Sequence, residues 1–199
     1  MPVDTFLALL VFAFVSSITP GPNNVMLLAS GVNFGFWRTV PHMFGIAAGF
    51  GSLLLCVGFG LGALLTGFPA LGIVLKVLGG SYLLYLAWRI AMSRSMGGAK
   101  TTTGRDPMTF AAAAAFQWVN PKAWMMSVTA MSVYSSPDAP YLSVFLVAAA
   151  FVVVNFPSVS TWVGFGTVLR AFLADPNRLK WFNIAMGSLL ALTIFPMLR

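Results

Sequence analysis

Apolar residues run along this chain in blocks too long and too even for an amphipathic helix or an alternating strand, and polar residues gather in the short stretches between them. A bilayer core is crossed by about 20 apolar residues rising 1.5 Å each. Six blocks reach that length, at roughly residues 5–30, 40–66, 69–92, 109–134, 141–166 and 180–198, and they predict six transmembrane helices in an all-α membrane protein. The one linker-like stretch is 93–107, polar, rich in Gly and Thr, and carrying Arg94, Lys100 and Arg105. It separates a first half, 1–92, from a second, 108–199, within a single transmembrane domain spanning 1–199.

Two of the blocks contain residues that a continuous membrane helix avoids. Thr19-Pro20-Gly21-Pro22-Asn23-Asn24 lies inside the first, and its prolines and glycine remove backbone donors and unwind the helix. An unpaired peptide group in hydrocarbon costs several kcal/mol, so irregular backbone at that depth is tolerated only in contact with protein or with a wet cavity. Asn120-Pro121-Lys122 interrupts the fourth block in the corresponding place of the second half, and paired interruptions of this kind point to the binding site of a transporter. Gly80-Ser81 followed by Leu83, Leu84 and Leu86 is echoed by Gly187-Ser188 followed by Leu189, Leu190 and Leu192. Three spans per half is an odd number, so a duplicated half inserts upside down. The expected architecture is therefore two inverted three-helix repeats, with helices 1 and 4 broken near the midplane and the breaks facing each other.

Composition agrees with the blocks and adds a direction. The chain is 59% hydrophobic and 8% charged, with a mean hydropathy of +0.90, which makes the bilayer its solvent. The net charge of +7 comes from basic residues placed singly between apolar blocks, a distribution that excludes nucleic acid as a partner. Arg38, Arg89, Arg94, Lys100, Arg105, Arg170, Arg178 and Lys180 all fall on one face of the array, and that face is cytoplasmic by the positive-inside rule. Both termini are then periplasmic. Lys76, on the outer side, snorkels to the headgroups. Cys56 is the lone cysteine and has no disulfide partner in the chain, and Met1–Asp4 lacks the basic residues of a cleavable signal peptide. Gly45 and Gly49, and the run Gly58, Gly60 and Gly62, suit close helix crossings; such faces also permit a homodimer without requiring one.

The breaks supply chemistry. A helix that restarts presents unpaired N–H groups and the positive end of its dipole, which suits an anion such as a carboxylate. Asn23 or Asn24 is expected to cap the half-helix after Pro22, and Asn120 before Pro121 is a favourable Ncap and N1 pair. Lys122 lies within the fourth block, where a charge costs on the order of 3 kcal/mol and where no Asp or Glu occurs to pair with it. It can bind carbonyls, give up its proton, or meet a substrate carboxylate. His42, at the edge of the second block, is the other proton-coupling candidate. Asn155-Phe156-Pro157 is expected to interrupt the fifth block, and Gln117 and Asn183 add amides suited to interhelical hydrogen bonds. No catalytic set is visible. The single His, the single Cys and the lack of carboxylates in the blocks leave no metal site, and no phosphate-binding glycine loop or serine elbow occurs, so no cofactor is expected.

TPGPNNVMLLASGVNFGF (Thr19 to Phe36), GIAAGF (Gly45 to Phe50), LKVLGGSYLLYLAWRI (Leu75 to Ile90), FQWVNPKAW (Phe116 to Trp124) and NIAMGSLLALT (Asn183 to Thr193) together resemble the LysE/RhtB family of bacterial amino-acid exporters. Asn23-Asn24 and the stretch from Gln117 to Ala130 are similar to its cysteine and O-acetylserine exporter branch. The resemblance implies proton-driven efflux of small amino acids or their derivatives through the inner membrane by a secondary transporter. It places the family's signature on Pro20, Gly21, Pro22 and Asn23 and on Asn120, Pro121 and Lys122, and these with Asn24 are the expected substrate-binding residues. Proton coupling would fall to Lys122, His42 or a path through water. Ser132 to Pro137 departs from the family's Pro-Gln-Phe at that place. A non-transporting membrane subunit or sensor that retains the exporter scaffold is the alternative.

Overall fold

Proline sets where most of the helices begin. In a computed structural model that describes residues 1–62, 67–96 and 106–195, five of the helices open on a proline, whose fixed φ suits the first turn and whose missing N–H would have been unpaired there anyway. The helices are α1 (Val3–Ile18), α2 (Pro22–Phe34), α3 (Phe36–Cys56, extended by a π turn over Val57–Leu61), α4 (Pro69–Ala91), α5 (Phe110–Gln117), α6 (Pro121–Tyr134), α7 (Pro140–Phe172) and α8 (Pro176–Leu192). No strand occurs among the described residues.

Phe36–Leu61, Gly72–Ala91 and Pro140–Phe172 are each long and apolar enough to cross a membrane, and α1 with α2, bent by 56° at their break, pass the same test together as a broken span or a re-entrant loop. The chain is a multi-pass all-α membrane protein. The second expected break is also present: α5 ends at Gln117, α6 begins at Pro121, and Asn120 between them is extended. The third is absent. α7 runs unbroken from Pro140 to Phe172 through Asn155, Phe156 and Pro157, because a lone proline with no capping side chain before it bends a helix, whereas the first break has a glycine between two prolines and the second has Asn120 to cap the helix that Pro121 opens. The expected end of this span near residue 166 is likewise too early. Residues 97–105 of the linker lie outside the described residues.

Glycine lets the helices approach to backbone contact. A Cβ added at Gly31 would land on the carbonyl of Val163 and one at Gly166 on the carbonyl of Leu28, so α2 and α7 cross glycine on glycine. Gly45 and Gly49 seat α3 on the backbone of Phe110 and Ala114 in α5, as their spacing predicts, and Gly187 seats α8 on Ala87 of α4. These faces are filled within one chain, and a second copy would need a different surface. Gly60 differs from the packing role expected of it. It has φ +114 and nothing within 4 Å of an added Cβ, so it serves the kink at the end of α3, not a crossing. Around these crossings Leu9, Phe50, Leu53, Met126, Val147 and Phe151 form the core between α1, α3, α6 and α7. Val25, Leu83, Leu86, Phe116 and Leu190 join α2, α4, α5 and α8. Lys76 is exposed on α4.

Candidate functional site

The first break is held by side chains that satisfy the carbonyls α1 leaves open. The chain turns out of the helix at Thr19, passes Pro20 and runs extended through Gly21 (φ −175, ψ −179) into α2. Asn24 Nδ2 reaches back and donates to Ser17 O at 2.9 Å and to Thr19 O at 2.8 Å, while Trp162 Nε1 from α7 donates to Ile18 O at 3.1 Å. Neither asparagine caps α2. Gly21 is its N-cap with no side-chain bond, and Asn24 serves the end of the preceding helix, which the 56° bend brings beside the first turn of α2.

At the second break Asn120 does cap the new helix, its Oδ1 accepting from Lys122 N at 3.1 Å. Trp124 Nε1 donates to Trp118 O at 2.8 Å and covers one of the carbonyls released at the end of α5. Two bridges then join the breaks. Lys122 Nζ donates to Thr19 O at 2.6 Å. Asn23 and Gln117 exchange hydrogen bonds, Asn23 Nδ2 to Gln117 Oε1 at 2.8 Å and Gln117 Nε2 to Asn23 Oδ1 at 3.1 Å. Gly21 makes the lysine's approach feasible, since an added Cβ would lie 2.8 Å from Lys122 Cδ.

Between the breaks is a cavity of about 30 Å³ lined by Gly21, Asn23, Asn24, Gln117, Asn120 and Lys122, with Ser17 and Asn155 on its other side. It has room for a water molecule or two and is too small for an amino acid in this conformation. Asn155 donates to Ser17 Oγ at 3.2 Å, and its Oδ1 is buried without a partner. Both half-helices open onto this space, and Lys122 meets no carboxylate among the described residues. The arrangement presents an ammonium group, primary amides and two helix N-termini, a set of donors for an anion.

A larger cavity of about 310 Å³ lies between α2, α3, α4 and the start of α5. Met26, Ser30, Asn33, His42, Tyr82 and Arg89 line it, with Asp106 at its edge. Asn23, Met26, Ser30 and Asn33 recur on one face of α2, so one helix face serves both cavities. Asp106 Oδ1 accepts from Arg38 Nη2 at 2.8 Å. His42 is 1% exposed, and neither ring nitrogen has a hydrogen-bond partner among the described residues.

A family model described as LysE type translocator matches residues 14–195, nearly the whole chain. The chain belongs to the LysE family. Among curated relatives, the cysteine/O-acetylserine efflux protein of Klebsiella pneumoniae subsp. pneumoniae is 30% identical over 185 residues, covering 90% of this chain and 91% of its own. The proteins of that name from Escherichia coli O1:K1 and O157:H7 are each 33% identical over 133 residues, which cover 66% of both chains. No solved structure matches.

Every residue expected to bind substrate lies at one of the two breaks, and the breaks meet. Asn183 pairs with Asn33, donating to its Oδ1 at 3.3 Å and accepting from its Nδ2 at 2.9 Å, and also reaches Ser93 O at 3.1 Å; it is an interhelical tie, as its type suggested. His42 is deep in the helix packing and faces the larger cavity, away from the breaks. The larger cavity itself was not foreseen. Its lining comes from four elements, and the signals for it were ordinary ones: Arg89 in a basic helix end, Tyr82 on an apolar helix and Asp106 in a linker.

Proposed function

We propose that this LysE-family chain is a secondary exporter of small amino acids or close derivatives, cysteine and O-acetylserine among them, across the bacterial inner membrane, with outward movement coupled to proton entry. The observation that carries the reading is the Lys122 bridge to Thr19 O at 2.6 Å, which ties the breaks of the two halves at a polar cavity. Lys122 has three N–H donors, and the bridge uses one. A substrate carboxylate arriving at the half-helix starts takes the others, and separating the bridge lets the cavity widen. The relatives named for cysteine and O-acetylserine efflux support the substrate class.

The transport cycle rocks an inverted repeat of residues 1–92 against another of 108–199, joined by the cytoplasmic linker 93–107, with six spans and both termini periplasmic. Several contacts agree with that symmetry: α3 packs on α7 and α4 on α8, each joining equivalent elements, and α5 against α3 answers α1 against α7. No Asp or Glu lies within the spans, so proton coupling falls to Lys122, to His42 or to water in the cavities.

Purified protein in liposomes tests the reading by counterflow of labelled O-acetylserine or cysteine with and without an imposed pH gradient. Gradient-dependent counterflow is the expected result; no flux of any amino acid in a panel would overturn it and leave a subunit or sensor. Lys122→Met is expected to lose roughly 10²-fold or more of the flux while remaining folded, the scale of losing a partly buried charged hydrogen bond. Full flux in that variant would remove the lysine from the mechanism.

A further inference from the structure

The cavity between α2, α3, α4 and the start of α5 has the size and polarity of a binding site in its own right. At about 310 Å³ it holds an amino acid, which the cavity at the breaks does not. Its polar groups are only partly used. Asn33 is committed to Ala29 O, Asn183 and Ser93, and Ser30 to Thr39 at 2.9 Å. His42 is the opposite case, since it is 1% exposed, lines the cavity and has both ring nitrogens without a partner among the described residues, which is costly for a buried polar ring. Arg89, in the last turn of α4, lies over the ring of Tyr85, 5.8 Å from its centroid, and its guanidinium makes no hydrogen bond among the described residues. Tyr82 has ring contacts with Phe116 and Tyr85 and no hydrogen bond through its hydroxyl among the described residues. Asp106 gives one carboxylate oxygen to Arg38, and the other has no partner among the described residues.

We propose that this cavity is an entry site for a zwitterionic amino acid, distinct from the site at the breaks, in which Arg89 and Tyr82 take the carboxylate, Asp106 the ammonium and His42 a polar side chain. It rests on the exporter reading above and adds a capture step on the side where the basic loops lie. A guanidinium fork matches a carboxylate in two parallel bonds, and an aspartate oxygen accepts from an ammonium, so the opposed charges at the cavity's edge select the zwitterion over a simple acid or amine. The polar face of α2 then leads onward. From Asn33 and Ser30 past Met26 to Asn23, it carries the ligand to Lys122 along one helix.

Protection of an engineered thiol tests the proposal. In a Cys56→Ala background, Ala112→Cys places a thiol on the cavity lining, and O-acetylserine, which has no thiol of its own, is the probe. Saturating O-acetylserine is expected to slow maleimide labelling of the purified protein severalfold. Arg89→Gln and His42→Gln are each expected to raise the half-protecting concentration about tenfold, as loss of a charged or buried hydrogen-bond partner does. Each variant is checked for an unchanged labelling rate without ligand, which shows that the cavity has kept its shape. Lys122→Met is expected to retain protection while losing flux, which separates the two sites. Protein that transports O-acetylserine but shows no protection, or protection that neither Arg89→Gln nor His42→Gln alters, overturns the entry site and leaves the exporter reading intact. Neither transport nor protection with any amino acid overturns both.

Discussion

The lysine at the second break is placed by what is missing from the first. Gly21 is extended, a conformation open to any residue, so its value lies in having no side chain where Lys122 passes. Gly21→Ala is therefore expected to leave the melting temperature nearly unchanged and to reduce flux about tenfold or more, because the flexible lysine moves aside at little cost and loses Thr19 O. A large fall in melting temperature with flux preserved would contradict this. Asn24 has the opposite character. It alone serves Ser17 O, and Asn24→Ala is expected to cost about 1–3 kcal/mol of stability by leaving a buried carbonyl unpaired, read as a lower melting temperature in detergent. The sequence made the pair of asparagines conspicuous, but their roles depend on direction. A capping reading looks only forward to the helix that begins at Pro22. The backward bond of Asn24 and the cross-chain pair of Asn23 with Gln117 exist because the bend folds one helix end beside another start. Asn120 was legible as a cap because its partner is two residues away.

At the scale of the helix, contact between backbones decides more than side-chain hydrophobicity, since lipid is as apolar as the protein's own interior. The α2 and α7 crossing at Gly31 and Gly166 has no slack, as an added carbon at either meets a carbonyl or backbone atoms. Gly166→Val is expected to destabilise the protein by several kcal/mol, seen as loss of the folded peak in size-exclusion chromatography. Gly164, two residues earlier on the same helix with nothing within 4 Å of an added Cβ, is the control. There Gly164→Ala is expected to be neutral or to stabilise by about 0.5–1 kcal/mol, the usual helix preference. Equal effects at the two positions would refute the packing account. Spacing made Gly45 and Gly49 readable, whereas Gly31 and Gly166 sit in different spans with no pattern of their own. Pro157 misled for a related reason. A proline marks a bend in any helix, but an interruption needs the new helix end provided for as well: the first break has a glycine between two prolines, the second has the Asn120 cap, and Pro157 has neither.

The whole molecule joins these elements across two halves, and the proposed inverted repeat makes a prediction that neither half carries alone. Counted from the prolines that open α2 and α6, Ser30 corresponds to Thr129 and Asn33 to Ser132. Ser30 and Asn33 line the larger cavity, on the side of the basic loops; Thr129 and Ser132 are exposed on α6. The proposed inversion would place that face of α6 on the opposite side of the membrane, as the exit half of the path. Thiols placed at Ala112 and at Thr129, one at a time in the Cys56→Ala background, report the two sides. A membrane-impermeant maleimide added outside intact cells is expected to label Thr129→Cys and to spare Ala112→Cys, with the reverse in inside-out vesicles. Rocking adds a second expectation: a ligand or gradient that slows labelling at one position speeds it at the other, because the halves cannot open to both sides at once. Labelling of both positions from the same side would refute the inverted arrangement. Labelling from opposite sides with rates that rise and fall together would keep the topology and refute the alternation.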